Sequence, residues 1–343
     1  MCWDVPPCLG LVTVFEWAIC IWLFLVGACV GSFLNVVMYR LPRGEPLAYP
    51  ASRCPRCHQS IALRDNIPIV SWLVLRGRCR WCGGAISPRY PMVEALTATW
   101  FLALGVAVYV AGASHLPAPG LMSRSAWERL PSSATAPPAA LVAYHAVLVS
   151  YLIVAAGIQY DGLRVPRRWT AFALLVGAGA PLVWPELRPV ASMLQAARDA
   201  ASAGIDAAAG VAVGGLLGLV MTPAVRWGSG PRGTAGDALS MLATLGAYVG
   251  WQTAIALSTL AAVVHVPLVW MCVARRGPCR WKWGCVVCGT TMIGILAWRP
   301  LLGDWWLESP VRTLATTAAG LAVIVLAVTL ARCAACCRHA PAA

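Results

Sequence analysis

Apolar residues run along this chain in long blocks separated by short polar stretches, not in the alternating or one-sided stripes of a water-soluble fold. A helix that crosses a bilayer needs about 20 mostly apolar residues. Blocks close to that length lie near 15–39, 92–112, 139–160, 169–186, 206–225, 238–255, 256–273, 285–303 and 313–331. The sixth and seventh abut, with only Trp251 and Gln252 to suggest a turn between them. The pattern therefore predicts an all-α polytopic membrane protein with eight or nine transmembrane helices. Its first block has no basic leading segment, is longer than the roughly 7–15 apolar residues of a cleavable signal, and runs straight into Arg40 and Arg43. It reads as a signal anchor. Gly210, Gly214 and Gly218 form a small-residue stripe on the fifth block, which predicts close helix packing.

The sizeable polar segment is 40–91, which divides the chain into an N-terminal anchor (1–39), a loop (40–91), a transmembrane core (92–275) and C-terminal helices with a cysteine-rich tail (276–343).

Composition and charge sharpen this picture. Of 343 residues 59% are hydrophobic and 11% charged, against about 25% charged in a typical soluble domain. A free cytosolic enzyme and a disordered chain are both poor fits. The 26 basic residues outnumber 13 acidic ones, but they sit between apolar blocks and not on one soluble face, so nucleic acid is not the expected partner. With nine alternating spans, most of the bases fall in loops on one side: 40–91, 161–168, 226–237, 274–284 and 332–343. The stretch 113–138 on the other side holds only Arg124 and Arg129. By the positive-inside rule the first set faces the cytoplasm, where the arginines meet anionic lipid headgroups.

Fifteen cysteines in a secreted protein would suggest disulfides, but most of these lie in loops assigned to a reducing compartment. Cys54-Pro-Arg-Cys57 and Cys79-Arg-Trp-Cys82 are two C-x2-C pairs at a separation that fits one tetrahedral Zn²⁺. Four thiolates leave no open position, so the expected zinc is structural, and it gives a fold to a loop too short to build a robust core alone. His58 is a substitute ligand by position, though a solvated loop histidine is the plainer reading. Cys279, Cys285 and Cys288 form a weaker cluster without a clear fourth ligand, and Cys333, Cys336 and Cys337 lie in the tail.

An acidic residue in or beside a membrane span is costly and marks a functional hypothesis. Asp161 ends the third block in Gln159-Tyr160-Asp161-Gly162-Leu163-Arg164-Val165-Pro166, and Asp237 opens the sixth after Gly236. The topology puts both at the same boundary. If the fold brings them together, two close carboxylates share a proton: one takes a proton from an attacking water while the other donates to a peptide carbonyl. The plainer alternatives are a helix-N-terminal acid at Asp237 and an interfacial Asp161 paired with Arg164 or Arg167. Asp199, Asp206 and Asp304 fall on the opposite side and are poor partners; Asp65 is assigned to the zinc loop and Glu94 to the start of the second span. The sequence holds no GxSxG elbow, HExxH helix or P-loop.

Taken in order, these motifs resemble the type IV prepilin leader peptidases, the bifunctional peptidase/N-methyltransferases of pilus and type II secretion systems. The resemblance is carried by Gly31-Ser32-Phe33-Leu34-Asn35 through Arg40-Leu41-Pro42, the first cysteine pair, Asp65-Asn66-Ile67-Pro68, Leu75-Arg76-Gly77-Arg78 with the second pair, Ile86 through Pro91, and Val93-Glu94. Asp161 through Pro166 is similar to the family's first aspartate motif. Gly236-Asp237, with Leu245-Gly246-Ala247 and Gly250-Trp251-Gln252, is similar to the second. The match covers most of 15–275 and fades beyond.

The resemblance implies an aspartic endopeptidase of the bacterial cytoplasmic membrane with catalytic Asp161 and Asp237. It would act on prepilins or pseudopilins, with N-methylation of the new terminus from S-adenosylmethionine. Methyl transfer rests on the resemblance alone, because the sequence has no glycine-rich dinucleotide-type unit. Three positions depart from the family pattern: Thr234 replaces the first glycine of GxGD, Leu239 a lysine, and Arg167 an acid. Both carboxylates remain, which favours an active enzyme over a catalytically inactive membrane scaffold of a pilus or secretion system, and the lack of acids at mid-membrane depth counts against a proton-coupled transporter.

Overall fold

The computed structural model describes residues 7–111, 136–188, 200–229, 235–274 and 283–297, with isolated positions between 312 and 326. Among these residues the structure is helical, and its extended pairing is limited to two isolated bridges. The helices are α1 (Pro7–Arg40), α2 (Val70–Val74), α3 (Arg89–Gly105, continued by a π-helical turn over Val106–Val110), α4 (Pro138–Tyr160), α5 (Arg167–Val183), α6 (Ala200–Ser229), α7 (Ala235–Ala274) and α8 (Trp283–Leu296). Five are long and apolar enough to cross a membrane: those containing Val14–Arg43, Arg89–Val110, Pro138–Tyr160, Ala200–Thr222 and Gly236–His265. The blocks expected at 15–39, 92–112, 139–160, 169–186 and 206–225 each coincide with one helix. Most of the predicted span at 313–331, the stretch 113–138 apart from its last residues, Cys279 and the tail cysteines lie outside the described residues.

The chain divides into two compact units, Met1–Ala113 and Ser114–Ala343. In the first, α1 packs along α3. The seam is made close by glycine: a Cβ at Gly31 would press into the Cα of Glu94 and the side chain of Thr97, and one at Gly27 would meet Ala98 and Phe101. The signature stretch of α1 is thus a packing edge. Asn35 secures it by donating from Nδ2 to the Tyr90 carbonyl at 3.1 Å.

In the second unit the most extensive contact is between α6 and α7. The expected glycine stripe is the seam. A Cβ on Gly210 would overlap the Gly246 carbonyl, on Gly214 the Leu242 carbonyl, and on Gly218 the backbone of Leu239. The two backbones therefore touch. Without a hydrophobic driving force inside lipid, such close van der Waals approach is the main source of helix–helix attraction.

The run assigned to α7 is two helices. Gly250 has φ 77° and ψ 166°, a conformation open to glycine and hostile to other residues. The break falls one residue before the Trp251-Gln252 pair that suggested a turn. It leaves backbone groups to satisfy, since an unbroken helix would give the carbonyls of Ala247 and Tyr248 to the N–H groups of Trp251 and Gln252. Inside a bilayer such orphans are costly. Here Arg188 Nη2 donates to the Ala247 carbonyl at 3.3 Å, and the Tyr144 hydroxyl lies 2.9 Å from the Tyr248 carbonyl. The same hydroxyl is 3.0 Å from the Gly177 carbonyl. Pro181, one turn on in α5, has no N–H to offer that carbonyl. One tyrosine hydroxyl thus lies between two helix defects and shares its single proton between their carbonyls.

Arg188 is itself buried, following α5, and its Nη1 donates to the Ala203 carbonyl at 2.7 Å and to Asp206 Oδ2 at 3.4 Å. Asp206, which the sequence pattern set aside as a poor partner for Asp161 and Asp237, is the anion of a buried ion pair.

Candidate functional site

Two places carry chemistry, one in each unit. In the first unit the loop after α1 folds into two matching turns. His58 N–H bonds to the Cys54 carbonyl (2.9 Å) and Cys54 N–H to the Gln59 carbonyl (3.0 Å). In the second turn Gly83 N–H bonds to the Cys79 carbonyl (2.9 Å) and Cys79 N–H to the Gly84 carbonyl (2.8 Å). The bridges Arg53 with Ser60 and Arg78 with Ala85 close both turns at equivalent positions. His58 (φ 58°) and Gly83 (φ 65°) occupy the same left-handed corner. The exposed His58 therefore serves the turn, and the metal group comprises only the four cysteines.

Their four Sγ atoms lie within 4.8 Å of one another, with Cys54–Cys82 at 3.9 Å and Cys57–Cys79 at 4.0 Å. A tetrahedral ion with bonds of about 2.3 Å to sulfur sets its ligands about 3.8 Å apart. Donor type and spacing both fit zinc. The backbone N–H groups of Cys57 and Arg56 point at Cys54 and lower its thiol to about 6. The Gln59 N–H favours a Cys57 thiolate too, but burial and the hydrogen bonds to Cys54, Cys82 and Cys79 outweigh it and push that thiol up to about 11. The Cys54 thiolate forms readily, whereas at Cys57 a bound cation would have to displace the proton.

Polar side chains tie the turns down. Arg80, inside the second cysteine pair, donates from Nε to Asp65 Oδ2 at 2.8 Å and from Nη2 to Asp65 Oδ1 at 2.6 Å. This pairing holds the Asp65 carboxyl below its usual range and bears out its assignment to the loop. Glu94, buried on α3, accepts the Ile69 N–H at Oε2, 2.7 Å away. It serves the loop as well as the start of α3, which the sequence did not reveal. Ile69 needs holding: its φ of 64° and ψ of −54°, with Val70 N–H on the Pro68 carbonyl at 2.6 Å, make a strained γ-turn centred on a β-branched residue.

In the second unit the aspartates stand at helix ends. Asp161 is the last half-helical residue of α4 and is exposed. Gly162 follows at φ 72°, with its N–H on the Gln159 carbonyl (2.9 Å) and the Leu163 N–H on the Ile158 carbonyl (3.0 Å). This Schellman ending needs a left-handed residue after Asp161, which glycine supplies. The chain then runs in extended form through Pro166 into α5. Asp237 lies in the first turn of α7 and is buried. Val165 N–H donates to its Oδ1 at 3.3 Å, so the segment that leaves Asp161 lies against the Asp237 carboxylate.

Neighbouring side chains brace this end of the bundle. Gln159 Nε2 donates to Met241 Sδ at 3.0 Å, Ser240 Oγ to the Asp237 carbonyl at 3.1 Å, and Thr244 Oγ1 to the Ser240 carbonyl at 2.8 Å. Among the departures, Arg167 is exposed at the start of α5, Leu239 is half-buried with its backbone against Gly218, and Thr234 lies outside the described residues.

Residues 25–108 match the family model described as the bacterial peptidase A24 N-terminal domain. A prepilin leader peptidase/N-methyltransferase from Myxococcus xanthus is 35% identical over 266 residues, covering 75% of this chain and 65% of that protein. A protein of the same name from Klebsiella pneumoniae is 32% identical, covering 67% of this chain and 85% of its own length. The type 4 prepilin-like proteins leader peptide-processing enzyme of an enterotoxigenic Escherichia coli strain is 33% identical, covering 73% and 84%. No solved structure matches the chain.

Proposed function

Because the chain belongs to the prepilin leader peptidase/N-methyltransferase family, we propose that it is a membrane aspartic endopeptidase. It cleaves the leader from type IV prepilins or pseudopilins at the cytoplasmic face of the inner membrane, with Asp161 and Asp237 as its two carboxylates. The observation that carries this reading is the Val165 N–H on Asp237 Oδ1 at 3.3 Å. Two motifs far apart in sequence meet through it, and each holds a carboxylate beside a helix end.

The mechanism follows from the groups present. The Schellman turn fixes where Asp161 leaves α4, and the Val165 N–H orients the Asp237 carboxylate. A peptide entering at this helix end meets one exposed and one buried carboxyl. One member of the pair removes a proton from water as its oxygen attacks the scissile carbonyl; the other gives its proton to the carbonyl oxygen, and then one returns a proton to the leaving amine. The Gly218 contact with the backbone of Leu239 keeps the first turn of α7 in register with α6.

Zinc, held by Cys54, Cys57, Cys79 and Cys82, would supply a cross-link that gives the loop its fold. N-methylation of the new terminus joins the proposal on the relatives' name. The described residues contain no glycine-rich strand–turn–helix cradle for S-adenosylmethionine, and no residue is assigned to it.

The test is leader removal from a prepilin of the same genome in detergent, comparing the parent with Asp161→Asn and Asp237→Asn and reading added methyl by mass. Cleavage by the parent and by neither variant is expected. Cleavage that survives either substitution overturns the pair, and a folded parent that cleaves no prepilin favours the inactive scaffold.

A further inference from the structure

We propose that α2 is a membrane-surface anchor that lies in the interfacial layer and inserts Val70, Leu73 and Val74 among lipid acyl chains, with Arg64 and Arg76 on the headgroups. These three apolar residues stand at i, i+3 and i+4 and so share one face. All are exposed, Leu73 at 61% and Val74 at 70%, and Ile67 just before them is half exposed.

The opposite face of α2 is already committed. The Ser71 hydroxyl accepts the Ile67 N–H at 2.9 Å and donates to the Arg64 carbonyl at 3.2 Å, and Trp72 Nε1 donates to the Ile86 carbonyl at 3.1 Å. The helix cannot roll its apolar face inward without breaking these bonds. The strained turn at Ile69 is what aims it outward.

The depth of α2 is set by its tether. The Ile69 N–H is bonded to Glu94 of α3, and the Cα of Glu94 backs onto Gly31 of α1. Gly31 lies more than two turns before the end of α1 at Arg40, about 13 Å along the axis at 1.5 Å per residue. The start of α2 is therefore level with the last turns of a spanning helix, not out beyond its polar end. At that level a water-facing row of valine and leucine leaves apolar surface wet, which is unfavourable, whereas lipid relieves it. Exposed Arg64 and Arg76 bracket the helix, and their charge complements anionic headgroups in a way that a second apolar protein surface would not.

The experiment places the photoreactive residue p-benzoylphenylalanine at Leu73 or Val74 of the full chain. Each variant is reconstituted in vesicles of phosphatidylethanolamine and phosphatidylglycerol and irradiated, and the adducts are read by mass. Zinc content reports whether each variant folds, and having two positions guards against one failing. Lipid adducts as the dominant product are expected, falling severalfold when Arg64→Glu and Arg76→Glu are combined. Adducts to another part of the chain or to a second copy, or no adduct from a zinc-loaded variant, would overturn the proposal.

Discussion

The cysteine loop and the α6–α7 pair solve the same problem by opposite means. Both bring together residues distant in sequence. The loop does so with a few directional groups: four sulfurs, the Asp65–Arg80 pair and the Glu94 carboxylate on the Ile69 N–H. The helix pair does so by leaving atoms out, at Gly210, Gly214 and Gly218, so that backbone rests on backbone. A structure held by few strong links fails when one link is removed. A structure held by close approach fails when an atom is added.

The largest expected effect is on the loop. Cys79→Ser removes one of four ligands, and structural zinc contributes on the order of 10 kcal/mol to small domains that depend on it. Zinc content should fall and residues 40–91 become open to protease, while the helical signal of the bundle stays unchanged. Collapse of both regions together would mean that they are not separately held.

The next effect probes a place where the bundle, too, uses directional links. Arg188→Met leaves Asp206 buried without its guanidinium, and breaking such a pair from one side costs about 3–5 kcal/mol. Thermal stability in detergent should drop markedly and recover in large part when Asp206→Leu is added. A double variant as unstable as the single would show that the carbonyl bonds of Arg188, not its ion pair, matter most.

Gly214→Leu forces a side chain into the Leu242 carbonyl. Overpacking costs about 1–3 kcal/mol even where neighbours can move, and here the neighbour is backbone. A lower thermal midpoint is expected, with Gly214→Ala intermediate and zinc content unaffected in both.

The smallest effect is a pH dependence of the loop. A carboxylate whose folded pKa lies below its unfolded value of about 3.9 contributes fully above that value and loses its contribution as pH falls through the folded one. Asp65, lowered by Arg80, should therefore support protease resistance of the loop down to about pH 4 and yield only below it. Asp65→Asn should abolish that acid step.

Much of this fold is legible in the sequence because lipid imposes a length and a four-sulfur metal site a spacing. The block at 139–160 became α4 over Pro138–Tyr160, and two C-x2-C pairs became one cluster of sulfurs. The position of the α7 break was nearly legible too: an apolar run too long for one span needed a turn, and Gly250 stands beside the polar Gln252. The partners of Arg188 were not. Hydropathy places Asp206 on the side opposite Asp161 and Asp237 but is silent on which polar groups a broken helix leaves unsatisfied. For the same reason the sequence shows Glu94 only as an acid at the start of the second span: nothing in its own neighbourhood signals a strained amide at Ile69. At the aspartates, the pattern ends the third block at Asp161 but does not reveal that Val165 is the residue that reaches Asp237.

The break at Gly250 has an electrostatic consequence. It turns the segment from Gly236 to Val249 into a half-helix with two ends of its own. At its N-terminal end, where free N–H groups concentrate partial positive charge, stands Asp237. At its C-terminal end, where free carbonyls concentrate partial negative charge, stands the Arg188 guanidinium. The macrodipole of that half-helix thus meets an acidic side chain at its positive pole and a guanidinium at its negative one, so the aspartate-bearing rod is complemented at both ends without the half that follows it.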